Sequence, residues 1–198
     1  DAAQSTLGPL LKARPRGPEL WYQQALCHSR AGAADAAEAA ATQALTLAPR
    51  LAKAWILRGT LRMDRDAPRA ALEDYRRAED LAPESAEVAL RLSHPLAVLH
   101  RHAEALEAVG RAAALAPADP EVLLRQAALL NEAGRTGEAR EILAGLVARA
   151  PQSPEALHDL VQLQGAEENA ALLPQIEAAR RKVRDDAARV LLEFAAAR

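Results

Sequence analysis

Pro15, Pro49, Pro83, Pro117 and Pro151 stand 34 residues apart, and three of them follow the same dipeptide: Leu47-Ala48, Leu81-Ala82 and Leu115-Ala116. A fixed period of this length restricts the chain to an array of like units, each too small to bury its apolar face alone. A second register keeps the same period. Ala37, Ala71, Ala105 and Ala139 are followed seven residues later by Ala44, Ala78, Ala112 and Leu146. Small residues seven apart lie on one face of a helix and let a neighbouring helix approach closely. With only 3% aromatic residues among 50% hydrophobic ones, packing must rely on small and aliphatic side chains. That favours helices over strands.

Charge and hydropathy exclude several function classes. Lys and Arg (25) nearly balance Asp and Glu (27) and are interspersed with them, so no basic face is set aside for nucleic acid. No apolar run approaches the roughly 18 residues that cross a bilayer, so no membrane insertion is expected. Cys27 is the only cysteine. Intramolecular disulfides are therefore impossible, which favours the cytoplasm and is also compatible with a bacterial periplasm. Asp1-Ala2-Ala3-Gln4 lacks the basic start of a signal peptide, and a chain without an initiator Met is compatible with a targeting segment already removed.

The repeating residues resemble the tetratricopeptide-repeat (TPR) pattern of Trp, Leu-Gly, Tyr, Ala, Phe, Ala and Pro at fixed offsets. Residues 52–85 match it best, through Trp55, Gly59, Ala71, Tyr75, Ala78 and Pro83. The resemblance implies an all-α fold, a right-handed superhelix of antiparallel helix pairs. Its repeats are 18–51, 52–85, 86–119 and 120–153, with a degenerate fifth at 154–182 and a capping helix at 183–198. Ala3, Leu7, Leu10 and Pro15 fall in register with Ala37, Ala41, Ala44 and Pro49, so residues 1–17 read as the second helix of a truncated repeat. Several residues depart from the pattern: Ala89 replaces Trp, Arg58 and Gln126 replace Leu, and His28 and Arg62 occupy the Tyr position. These are expected to weaken individual helix pairs.

Local signals divide each repeat into two helices. Asp119-Pro120-Glu121 and Ser153-Pro154-Glu155 give a capping side chain, then Pro at the first helical position, then an acid near the positive helix end. Turns are expected at 30–35, 64–68, 100–103 and 133–138, with Gly32, Gly134 and Gly137 supplying conformational freedom. Pro95 falls inside a first helix, where it removes the bond to the Arg91 carbonyl. A kink or shortening near Ser93-His94 is the expectation. Leu172-Leu173-Pro174 is expected to break the second helix of the fifth repeat, and Val190, Leu191 and Phe194 to form the packing stripe of the last helix.

No chemistry is legible. His94, His100 and His102 lack partners at metal-ligand spacing, Cys27 has no triad-like histidine, and no glycine-rich phosphate loop occurs. No enzyme activity and no cofactor are expected. What remains is the concave surface that the resemblance places on the first helices. Tyr22, Leu26 and Arg30, then Ile56, Thr60 and Met63, then Leu90 and His94, then Leu124 and Asn131 form the candidate protein-binding groove. Glu19, Glu87, Glu121 and Glu155 recur along its rim, which suits a peptide or helix with apolar anchors and basic flanks. Chaperone-tail receptors of this family clamp a terminal carboxylate with Lys and Asn; Tyr22 and Leu26 stand at the corresponding positions and disfavour that class. The expected function is a non-catalytic interaction module or scaffold whose partner is a protein, a peptide or another domain of the same parent chain. The alternative is the repeat portion of a larger enzyme or of a bacterial secretion or polysaccharide-export system. Residues 150–163, 173–177 and 185–198 resemble the junction in bacterial proteins that join such repeats to a sulfotransferase.

Overall fold

The computed structural model describes residues 16–197, whose regular structure is entirely α-helical. The helices are α1 Pro18–Arg30, α2 Ala34–Leu47, α3 Ala52–Asp64, α4 Pro68–Leu81, α5 Ala86–Val98, α6 His102–Leu115, α7 Pro120–Glu132, α8 Thr136–Arg149, α9 Pro154–Leu163, α10 Ala166–Lys182 and α11 Asp186–Ala196. They form two compact units, one reaching Leu115 and the other starting at Ala116. In the first unit α1 pairs with α2, α3 with α4 and α5 with α6, and α2 and α4 each also pack on the first helix that follows. In the second unit α7 pairs with α8, which packs on α9. The register expected at residues 1–15 lies outside the described residues.

Each periodic signal has a local structural cause. The prolines take the second position of a four-residue turn joining one repeat to the next, closed by Leu51 N–H to Ala48 O at 3.1 Å, Ser85 to Ala82 at 3.1 Å, Asp119 to Ala116 at 3.2 Å and Ser153 to Ala150 at 3.1 Å. Proline's fixed φ suits that position. Within each repeat the first helix ends on a residue of positive φ: Gly32 (72°), Asp66 (56°), His100 (58°) and Gly134 (76°). The following residue donates back to the third residue from the helix end, at 2.9 Å from Ala33 to His28 and 2.8 Å from Ala67 to Arg62, Arg101 to Leu96 and Arg135 to Leu130. That pattern is the Schellman cap. Gly137, expected in a turn, lies in the first turn of α8, because Gly134 already completes the reversal. Asp119 accepts from Glu121 N–H at 2.9 Å and Ser153 from Ala156 N–H at 3.4 Å, capping α7 and α9 as expected.

The small-residue register is the core. Ala37, Ala71, Ala105, Ala139, Ala44, Ala78 and Ala112 are fully buried, and Leu146 nearly so. Between the first two repeats this alanine packing is joined by an ion network. Arg58 donates to both carboxylate oxygens of buried Asp74, at 2.9 and 2.7 Å, and to Thr42 Oγ1 at 3.2 Å. Arg62 bridges Asp74 and Glu38, each at 2.9 Å, and Arg65 reaches Glu38 at 3.2 Å and Asp35 at 2.6 Å. The two arginines that depart from the repeat pattern thus tie α2, α3 and α4 together instead of leaving buried charges unpaired. Trp55 is held beside them, its indole N–H donating to the Pro49 carbonyl at 2.8 Å and its ring under the Arg58 guanidinium at 4.8 Å.

Two expectations are corrected and a third is narrowed. Of the kink or shortening expected at Pro95, shortening does not occur: α5 has 13 residues, as α1, α3 and α7 do. The proline removes one bond late in the helix, and its ring is buried in the core. α10 is not broken at Pro174 but continues for 17 residues, because Ile176 and Ala179 beyond the proline are fully buried. In α11 the buried residues are Leu192 and Ala195, while Val190 and Phe194 are exposed. That helix rests on α9 as well as α10, which turns a different stripe inward.

Candidate protein-binding surface

The first helices of the first unit bring Tyr22, Leu26, Ile56, Thr60, Met63 and His94 to half-buried positions, with Arg30 exposed at the end of α1. α1 and α3 are joined at this face. Lys53 Nζ lies 4.8 Å from the Tyr22 ring centroid and 3.4 Å from Glu19 Oε1. Tyr22 also packs against the cluster of Ala44, Leu45 and Ala54, so part of its area serves the core. On α3, Thr60 Oγ1 donates to the Ile56 carbonyl at 3.0 Å and shares a hydrogen bond with the Tyr75 hydroxyl at 3.1 Å. Burial pushes the Tyr75 phenol above its usual pKa, against the Thr60 hydrogen bond. Leu90 is a correction: at 4% exposure it belongs to the core, because the buried residues of α5 include Val88, Ala89, Leu92 and Ser93 on several sides.

In the second unit Leu124 is half-buried and Asn131 exposed, its Oδ1 accepting from Thr136 Oγ1 at 3.3 Å. Asn131 stands at the edge of a hollow of about 230 Å³ between α7 and α9, which Ala127, Ala128 and Leu143 also line. The small side chains of Ala127 and Ala128 leave this space open. A second hollow, missed from the sequence, runs over Trp55 and the Arg58–Asp74 pair and measures about 680 Å³. Many of its charges are engaged: besides the Arg58–Asp74–Arg62 pairs, Arg77 faces Asp80 at 3.7 Å, and Glu79 is bound by Arg111 from outside the hollow. The signal that could have located it is Asp74, an acid inside a helix one residue before the aromatic Tyr75.

The rim glutamates are partly engaged. Glu19 holds Lys53, and Glu155 accepts from Ser153 Oγ at 3.3 Å. Among the described residues no group of three or more His, Cys, Asp or Glu is placed to hold a metal ion, and no helix is long and apolar enough to cross a membrane. His100 lies in a left-handed turn, His28 approaches Gln24 at 3.2 Å, and Cys27 is half-buried.

Paired helices of 13 and 14 residues, proline turns and Schellman caps recur every 34 residues, and residues 96–163 match the model of the tetratricopeptide repeat. The fold is a TPR solenoid. No curated protein matches the chain in sequence. Among solved structures, a TPR protein from Parabacteroides merdae aligns with a TM-score of 0.79 at 18% identity, over 96% of this chain and 76% of that one. Pseudomonas aeruginosa PilF gives 0.75 at 19%, over 91% and 87%. YrrB, described as a TPR protein with an unusual peptide-binding site, gives 0.69 at 19%, over 94% and 97%. TPR proteins of this kind bind protein or peptide partners. At these identities the likeness is one of fold.

Proposed function

We propose that this chain is a non-catalytic scaffold that holds a protein or peptide segment against the first-helix face of its first unit. The observation that supports the reading is a set of half-buried apolar side chains, Tyr22, Leu26, Ile56 and Met63, on the first helices α1 and α3, which Lys53 joins through Glu19 and Tyr22. Half-buried aromatic and flexible side chains beside polar groups are where interface energy concentrates. Thr60 and His94 add polar contacts within the face and Arg30 one at its edge, while Leu124 and Asn131 offer contacts of their own on the second unit. Because Glu19 is engaged with Lys53, apolar anchors rather than basic flanks decide binding at the first unit.

The alternative, a repeat portion of a larger enzyme such as a sulfotransferase or of an export system, uses the same surface, with another domain of the parent chain as occupant. The test is peptide selection on the full chain from a random library, followed by affinity measurement for Tyr22→Ala, Met63→Ala and the control Arg76→Ala. Arg76 is exposed on α4 and faces Glu104 at 3.7 Å. Losses of on the order of tenfold or more are expected for the first two variants. Equal affinity in all three removes this face from consideration.

A further inference from the structure

Building on the scaffold reading, we infer that the hollow between α7 and α9 receives one arginine side chain from a partner segment. Buried Ala127 and Leu143 with half-buried Ala128 and Leu163 give it an apolar floor, and the polar residues that line it are Gln162, exposed Asn131 and the carboxylates of Glu132 and Asp159. A volume of about 230 Å³ suits one long side chain, not a helix. Apolar floor and acidic rim together match a side chain that lays methylenes on hydrocarbon and keeps its charge at the edge. A guanidinium suits such a rim better than an ammonium, because its planar fork offers five donors to carboxylate and amide oxygens and is more weakly hydrated. Arg125, on the same helix, interacts with the Glu132 charge and offsets part of it. Asp159 is contacted by the neighbouring His158 Nδ1 at 2.9 Å and its carboxylate remains partly exposed. An incoming cation therefore meets two carboxylates, one of them partly offset by Arg125.

The occupant is a protein segment because every lining residue but Leu143 belongs to the first helices α7 and α9, the class of helix proposed to hold a segment in the first unit. The inference can be tested without knowing the partner. Backbone amide resonances of the full chain are followed while N-acetyl-arginine amide, its neutral isostere N-acetyl-citrulline amide, or N-acetyl-lysine amide is added. Saturable shifts centred on Ala128, Asn131, Glu132 and Asp159 are expected with the arginine probe, and binding on the order of tenfold weaker with citrulline. Ala128→Leu fills the hollow while leaving both carboxylates in place, and should abolish the shifts; Glu132→Gln should weaken them. Citrulline binding as well as arginine overturns the charge argument. Lysine binding equally well overturns the assignment to arginine, and persistence in Ala128→Leu shows mere surface attraction and overturns the pocket. The probe comparison on the unaltered chain decides even where a variant is unstable. Failure of the Tyr22 and Met63 variants to change segment binding would sink the scaffold reading without altering these shifts.

Discussion

Gly59→Ala tests the packing logic at its tightest point. Ala is worth about 1 kcal/mol more than Gly in a helix interior, so helix propensity alone says the change stabilises α3. Packing says the opposite. A Cβ at residue 59 would lie 2.7 Å from Cε1, 2.9 Å from Cδ1 and 3.0 Å from Cζ of Tyr75, whereas carbon contacts are favourable near about 3.5–4.0 Å. The ring has little freedom to retreat: it is 2% exposed, and its hydroxyl is bonded to Thr60. Overpacking of this kind costs about 1–3 kcal/mol. Set against the propensity gain, the net expectation is a loss of about 1 kcal/mol. The chain offers its own control, because the equivalent pair in the fourth repeat is Ala127 with Leu143. Gly59→Ala in a Tyr75→Leu background should therefore be neutral or stabilising. Urea unfolding of the four proteins of this cycle measures the coupling. An increase in stability from Gly59→Ala alone, equal to that seen with Tyr75→Leu present, would refute the reasoning.

Asp74→Ala leaves Arg58 and Arg62 largely buried without their shared carboxylate and should cost about 3–5 kcal/mol by chemical unfolding. Replacing Arg58 and Asp74 together with leucine should recover part of that loss. His100→Gly relieves a left-handed residue at a helix cap and should stabilise by about 0.5–1 kcal/mol, read as a higher urea midpoint, whereas Ala113→Gly, inside α6, should lower that midpoint. The Tyr75 phenol has a raised pKa in the folded chain, chiefly from burial. Its contribution to stability is complete below the unfolded value near 10 and is lost as pH rises through the folded value, so unfolding measured at pH 9 and 11 should diverge less in Tyr75→Phe.

The fold was legible because its determinants are local and recur. Pro49, Pro83, Pro117 and Pro151 each sit in a turn with the same closing bond, and the alanine register needs only helical periodicity to become a core. The errors share a different cause. Whether Pro174 ends a helix depends on what buries Ile176 and Ala179, and which stripe of α11 faces inward depends on α9, a neighbour that periodicity does not specify. Asp66 and His100 at positive φ were also hidden, since the glycines that announce such caps appear only at Gly32 and Gly134. The surface was legible only as a set of positions. Tyr22 and Met63 are half-buried, but Leu90 is not accessible, because a strongly apolar helix such as α5 buries more than one face.

One exchange of volume connects the core to both candidate surfaces. At the crossing of the paired helices the chain uses Gly59 with Tyr75 in the second repeat and Ala127 with Leu143 in the fourth. Tyr75 fills its crossing and reaches past it to bond Thr60, on the helix that also carries Ile56 and Met63. The neighbouring Asp74 holds Arg58 and Arg62. Helix α3 is therefore fixed by polar contacts to α4, which would lower the ordering cost of the segment binding proposed there. Leu143 is shorter and carries no hydroxyl. It stops at the crossing, and the space left above Ala127 and Ala128 is the floor of the hollow between α7 and α9. The same position of the repeat thus braces a surface in one unit and opens a pocket in the other, according to whether a large side chain faces glycine or a smaller one faces alanine.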